Sequence, residues 1–253
     1  MLGAFPPKLE SEPNSENGTF IVMPNPILIT GADKRVGLAL TKALIKNGFP
    51  VIATYRKKPG QLLELKGVTL FQADLRNPPE RNSLINFVNH NTRALRGIIH
   101  NASIWLDDSL ENLAAMYQIH IEAPFHLNEA LSEHLKKSGR SDIIHICDDT
   151  ASRGSRNHVA YAATKAALAN MTLSFAEKLA PSVRVNSISP GLLTFKENSH
   201  KEYQEKVLKK ALLEFEPGPE PLLEAVLYLL SASYSTGSNI VINGGRHLRK
   251  INH

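Results

Sequence analysis

With 253 residues, of which 42% are hydrophobic and 21% charged, the chain has the length and composition of one globular α/β domain with a buried core. A single cysteine, Cys147, excludes an internal disulfide and any multi-cysteine metal site, as expected in a reducing cytoplasm. The excess of 29 Lys and Arg over 24 Asp and Glu suits an anionic ligand such as a dinucleotide. The chain shows no basic helix or aromatic–basic repeat of the kind that binds nucleic acid, and no apolar run of membrane-spanning length.

Residues 1–25 are rich in Pro, Glu, Ser and Asn and show no sustained period. They lack the basic start and apolar stretch of a signal peptide and read as a disordered or strapped-on tail, with Met23 available as an alternative start. From residue 26 the pattern alternates. Apolar runs bounded by breakers predict strands at 26–30, 50–55, 68–74, 97–102, 142–147, 183–189 and 239–243. Helix-length segments with spaced apolar positions fall around 36–47, 80–93, 109–137, 158–180 and 220–231. Near-continuous apolar strands alternating with helices predict an α/β, doubly wound parallel sheet of about seven strands in a single domain over 26–253, with ligands beyond the carboxyl ends of the strands. The stretch 192–219, charged at 196–210 and Pro-rich at 216–221, is the irregular part and a candidate lid over a substrate.

Four pieces at strand ends carry chemistry. "LITGADKRVG" (28–37) is a strand, a glycine turn and a helix start, where backbone N–H groups meet a pyrophosphate. Gly31 permits the turn and Gly37 lets the helix approach the sheet. At the end of the second strand, where an NAD binder places an acid for the ribose hydroxyl, stands "TYRKK" (54–58); no acid and three cations favour the 2′-phosphate of NADPH. Asp74 closes the third strand, either as acceptor for an adenine amino group or as a helix N-cap. "HNAS" (100–103) closes the fourth, where Asn101 also has a plain strand-bridging reading. Finally, "YAATK" (161–165) puts Tyr161 and Lys165 on one helix face, and a cation beside a phenol is expected to lower the phenol pKa toward neutrality.

The turn, "HNAS", "YAATK" and "SPGLLT" (189–194), in that order, resemble the short-chain dehydrogenase/reductase superfamily, over residues 26–249. The resemblance implies a Rossmann-type sheet flanked by helices and hydride transfer from a nicotinamide, with Tyr161 and Lys165 catalytic and Pro190 and Gly191 near the carboxamide. It also implies a cofactor site including Gly31, Arg35, Val36, Tyr55, Arg56, Lys57, Asp74, Leu75, Asn101, Ala102 and Ser103, and tetramers as a common assembly. Three departures narrow it further. Arg35 replaces the second glycine of the turn, Asp148 replaces the catalytic serine thirteen residues before the tyrosine, and Trp105, the only tryptophan, follows N-A-S.

That trio is similar to pteridine reductases, in which the aromatic residue and the nicotinamide sandwich a pterin. "MYQIHIEAP", "LAPSVRVNSISP" and "GGRHLR" point to the short bacterial members that reduce dihydromonapterin, with dihydrofolate as a second substrate. The resemblance implies a substrate site of Arg35, Ser103, Trp105, Asp148, Tyr161 and Leu192, with Asp148 joining the catalytic pair. A ketone reductase uses a serine hydroxyl to hold an oxygen, whereas reduction of a ring C=N needs a proton delivered to nitrogen. Arg35 offers a rigid fork of donors to phosphate and substrate, and Trp105 a flat face. His120 stands where the family commonly has an asparagine, with either a hydrogen-bonding or a structural role. The ten histidines show no metal-ligand spacing, so no metal is expected. A carbonyl or 3-oxoacyl reductase and a non-catalytic NADPH sensor remain the alternative readings.

Overall fold

The computed structural model describes residues 24–248; the predicted tail lies almost wholly outside the described residues. Seven strands form one all-parallel sheet: β1 (Ile27–Ile29), β2 (Val51–Tyr55), β3 (Val68–Gln72), β4 (Gly97–His100), β5 (Ser141–Ile146), β6 (Val183–Pro190) and β7 (Asn239–Ile242). Their order is β3-β2-β1-β4-β5-β6-β7. The order reverses between β1 and β4, and that switch point opens a crevice at the carboxyl ends of the strands. Each strand sits within a predicted run or one residue beyond it, because strands covered on both faces are apolar throughout.

Alternate strand residues feed two cores. Leu28, Ile52, Ile98, Ile143 and Val185 pack on one face with Leu84 of α2 (Pro78–Asn91), Leu127 and Leu131 of α4 (Ala123–Lys136) and Phe175 of α6 (Val159–Leu179). Ile27, Ile29, Val51, Ile99 and Ile144 face the other way, against Leu40 and Leu44 of α1 (Arg35–Lys46) and Leu222 and Leu229 of α8 (Glu220–Ser231).

Two expectations change. The single helix predicted over 109–137 is α3 (Leu110–Tyr117) and α4 joined by one π-helical turn, Gln118–Glu122. Pro124 has no N–H to return to the preceding turn, so the helix widens just before it. The irregular stretch 192–219 contains a helix, α7 (Lys201–Leu208), which follows the four-residue α5 (Thr150–Arg153) in chain order. No residue of α7 is buried, so no apolar stripe announced it.

Candidate active site

A cleft of about 470 Å³ runs along the carboxyl ends of the strands. It is lined by every residue assigned to a site from the sequence except Trp105. At its cofactor end, Gly31 has φ +64°, and a Cβ there would lie 2.8 Å from the Cα of Ala102. Gly37 is tighter still: an added Cβ would meet the Gly31 carbonyl at 2.2 Å. Helix and strand end therefore touch backbone to backbone; the Gly31 and Ala32 amides donate to Thr54 (3.1 and 2.8 Å), so the amides that face a ligand are those further along, at the start of α1. Arg35 stands in the left-handed region at φ +49°, a conformation costing a non-glycine residue roughly 1 kcal/mol. Its guanidinium Nη2 donates to the Thr194 carbonyl at 3.1 Å, tying the glycine turn to the segment after β6.

Asn101 takes its bridging reading. Its Nδ2 donates to the carbonyls of Thr30 (3.1 Å) and Gly31 (2.8 Å), bracing β4 against the turn. Asp74 is not a helix cap: the residue at the N-cap of α2 is Asn77. Its carboxylate accepts from Arg76 Nε (3.0 Å) and Nη2 (2.6 Å), and this pair lowers its pKa. Arg76 also lines the cleft and was not anticipated; it follows the strand by position alone, without a motif to mark it. Arg56 and Lys57 are exposed and make no ion pair among the described residues. Two cations without an ion-pair partner at the end of β2, of which Arg56 also acts on Asp74 from a distance, fit a dinucleotide bearing a 2′-phosphate.

At the chemical end, the Tyr161 hydroxyl donates to Asp148 Oδ2 at 3.2 Å. The other oxygen of Asp148 accepts from the backbone N–H and the hydroxyl of Thr150, both at 2.8 Å, so the carboxylate is oriented. Asp149 points away into a buried network with Asn243 (2.6 Å) and Arg153 (2.5 Å), which leaves the cleft to Asp148.

The expected acidification of Tyr161 is overturned. Lost hydration raises its pKa well above the ordinary value, and the charge and hydrogen bond of Asp148 raise it further. Lys165 does not offset this. Its Nζ is buried, donates to the Ile146 carbonyl at 2.9 Å and lies 5.9 Å from the Tyr161 ring centroid. Burial lowers the pKa of Lys165 itself. Tyr161 is thus a protonated phenol, held toward a carboxylate. Burial also lifts the Cys147 thiol to about 11, in keeping with an inert filler.

Trp105 occupies the exposed rim. Its ring centroid is 4.3 Å from that of His158, and Lys196 Nζ lies 5.0 Å over it. Asp108, three residues on, accepts from the N–H groups of Val159 (2.9 Å) and Ala160 (2.9 Å), pinning the loop that carries Trp105 to the start of the helix that carries Tyr161. Among the described residues no group of three His, Cys, Asp or Glu is placed to hold a metal ion.

A family profile described as enoyl-(acyl carrier protein) reductase matches residues 31–247. The chain belongs to the short-chain dehydrogenase/reductase family. Within it, the chain is 45% identical over 232 residues to the dihydromonapterin reductase of Enterobacter sp. (strain 638), covering 88% of this chain and 97% of that protein. It is 43% identical over 235 residues to the enzyme of the same name from Escherichia coli (strain K12), covering 89% and 98%. Among solved structures, FolM alternative dihydrofolate reductase 1 from Brucella suis, in complex with NADP, superposes with a TM-score of 0.83 at 26% identity, over 92% of this chain and 98% of that one.

Proposed function

We propose that the chain is an NADPH-dependent pterin reductase that converts 7,8-dihydromonapterin to tetrahydromonapterin, with dihydrofolate as a second substrate. The observation that carries this reading is the Tyr161–Asp148 pair: a neutral phenol on a carboxylate, where ketone reductases of the family set a serine hydroxyl. The dihydromonapterin reductases at 43–45% identity and the Brucella alternative dihydrofolate reductase support the same substrate class.

When bound, NADPH supplies a hydride for the ring carbon of the C=N bond. The protein's part is to hold the ring and deliver a proton to the ring nitrogen. Tyr161 is the proton donor, and its high pKa keeps it loaded across the neutral range. Asp148 orients the phenol and offers acceptor oxygens to the N–H edges of the pterin. Lys165, whose Nζ donates to the Ile146 carbonyl and lines the cleft, completes the polar set with Tyr161 and Asp148. Arg56 and Lys57 hold the 2′-phosphate, the turn at Gly31 to Val36 faces the pyrophosphate, and Asp74 and Leu75 border the adenine. Tyr55, Asn101, Ala102, Ser103, Pro190 and Gly191 line the remaining cofactor wall, and Leu192 the substrate side. Trp105 reaches the pterin by turning inward from the rim, exchanging Lys196 for the flat ring. We place the enzyme in the cytoplasm as a homotetramer: its single cysteine is reduced and buried, no helix among the described residues is long and apolar enough to cross a membrane, and β7 leaves Val241 exposed at a sheet edge.

The test is purified protein with NADPH or NADH and a panel of 7,8-dihydropterins, dihydrofolate and ketones, followed at the nicotinamide absorbance. Turnover of dihydromonapterin with NADPH preferred over NADH is expected. The double variant Arg56→Ala/Lys57→Ala should lose at least about tenfold of that preference, since each charge-assisted phosphate contact is worth roughly 1.5–3 kcal/mol. Turnover of ketones alone would refute the reading.

A further inference from the structure

His120 is fully buried in the π-helical turn and belongs to a chain of three side chains that ends in the cleft. Its Nε2 lies 2.8 Å from the Ser103 hydroxyl and its Nδ1 2.9 Å from the Thr164 hydroxyl. Thr164 Oγ1 in turn lies 2.9 Å from the backbone carbonyl of Tyr161. A carbonyl only accepts, so the single Thr164 proton goes to Tyr161, and Thr164 must accept from His120. Nδ1 therefore carries the imidazole proton. The ring is neutral, because burial and the nearby Lys165 charge press its pKa down to about 2. Nε2 is then a bare lone pair, and the contact with Ser103 forms only if the serine hydroxyl donates. The opposite tautomer would set the Thr164 oxygen against the Tyr161 carbonyl with no proton between them.

Ser103 lines the cleft and also lies in hydrogen-bonding reach of the Tyr161 hydroxyl; His120 and Tyr161 compete for its one proton, and with that proton turned inward to His120 the serine faces the cleft with lone pairs. Asp148 also shows only lone pairs, and the Tyr161 hydroxyl is already engaged with it. Apart from the Tyr161 proton that the reaction consumes, the wall is thus a row of acceptors. A 2-amino-4-oxo dihydropterin answers it with an exocyclic amine and ring N–H groups. A ketone brings only lone pairs and would cover Ser103 and Asp148 without matching them, a strong form of rejection for a site.

We propose that His120 is a specificity-determining positioning residue: by taking the Ser103 proton it fixes Ser103 as an acceptor, and so tunes the cleft to N–H-bearing heteroaromatic rings and against ketones. This rests on the pterin-reductase reading and adds to it a residue that touches neither substrate nor cofactor.

The experiment compares kcat/KM for 7,8-dihydromonapterin with that for a 3-oxoacyl ester in five variants. His120→Asn keeps a donor near the Nδ1 position for Thr164 but cannot reach Ser103, so the serine proton is freed. The pterin-to-ketone ratio should fall by at least about tenfold, with the pterin loss mainly in KM. His120→Gln carries its amide oxygen to the Nε2 position and should hold the ratio within about threefold of the parent. Thr164→Val removes the acceptor of Nδ1, lets the imidazole proton move to Nε2, and should lower the ratio without altering either His120 or Ser103. In a Ser103→Ala background, His120→Asn should have no further effect on the ratio. NADP+ affinity and melting temperature, measured on each variant, separate this pattern from general damage. A parent enzyme that reduces no dihydropterin would defeat the functional reading, but not end this test: Trp105 is the only tryptophan, and its quenching by 2-amino-4-oxopteridine in the NADP+ complex reads the same order of variants by binding alone. Asn and Gln variants that behave alike, or a nitrogen-15 spectrum with the His120 proton on Nε2, would overturn the proposal.

Discussion

Tyr161 and Asp148 share one proton, and each sets what the other can do. The phenol pKa is raised first by lost hydration and then by the carboxylate charge and hydrogen bond. Removing that charge while keeping the shape, as in Asp148→Asn, should therefore lower the pKa of Tyr161. The donor is lost as pH rises through its pKa, so the alkaline limb of kcat/KM for dihydromonapterin should move to lower pH, with kcat reduced by about 10²-fold, the usual scale of general acid help. NADPH affinity should stay within about twofold, since the glycine turn and the basic pair are untouched. An alkaline limb that stays in place would detach Asp148 from the proton transfer. Most of the cleft's lining was legible in the sequence because those residues fall at strand ends or within spaced motifs, whereas Arg76 has no motif to mark it. Direction was not. Lys165 is one helical turn from Tyr161, yet its ammonium serves the Ile146 carbonyl, and Trp105, next to N-A-S, lies on His158 at the rim. Both outcomes depend on partners more than ten residues away in the chain.

At the scale of elements, the strands were readable because two-sided burial writes a near-continuous apolar run, while α7 was not, because it buries nothing and carries four charged residues among its eight. The amino-terminal edge of the sheet, opposite the cleft, carries a different device. Asp142, the second residue of β5 and 1% exposed, lies between the guanidinium groups of Arg96 and Arg184. These two and Arg140 donate to the last carbonyls of α8 and the residue after it: Arg96 to Leu230 (2.7 Å), Arg184 to Leu229 (3.0 Å), and Arg140 to Ser231 (2.7 Å). The cations thus satisfy orphan carbonyls at the negative end of a helix, and Asp142 offsets their mutual repulsion. Asp142→Asn should leave that charge uncompensated and destabilise the fold by about 3 kcal/mol, the scale of breaking a buried pair. The variant's urea midpoint should drop while kcat of the folded enzyme holds, as Asp142 lies at the far end of β5 from Asp148. A fall in kcat with an unmoved midpoint would contradict this division of labour.

Across the whole molecule, the sheet and its helices enclose three histidines that cannot charge. His100 on β4 and His145 on β5 stack with centroids 5.2 Å apart and share Asn128, at 2.8 Å and 3.2 Å. His145 also meets Thr172 at 2.8 Å, and His120 meets Ser103 and Thr164. No carboxylate faces any of the three in these contacts, while the Lys165 charge opposes protonation of His120 and His145. Burial lowers His100 to about 4 and His120 to about 2, and takes His145 well below its ordinary value. In the unfolded chain all three take up protons below a pKa of about 6.5. Between that value and about 4 the unfolded state thus holds more protons than the folded one, so stability rises with pH and is lost as pH falls. Three protons correspond to a limiting slope of roughly 4 kcal/mol per pH unit, approached only well below 6.5. The urea midpoint should accordingly hold between pH 8 and 7 and fall steeply between pH 6 and 5, well above the range where carboxylates titrate. His100→Gln, which keeps a hydrogen-bonding group for Asn128 but cannot take the proton, should flatten the slope by about a third. A midpoint that is level from pH 7 to 5, or a slope unaltered in His100→Gln, would mean that these rings do not govern the acid limit of the fold.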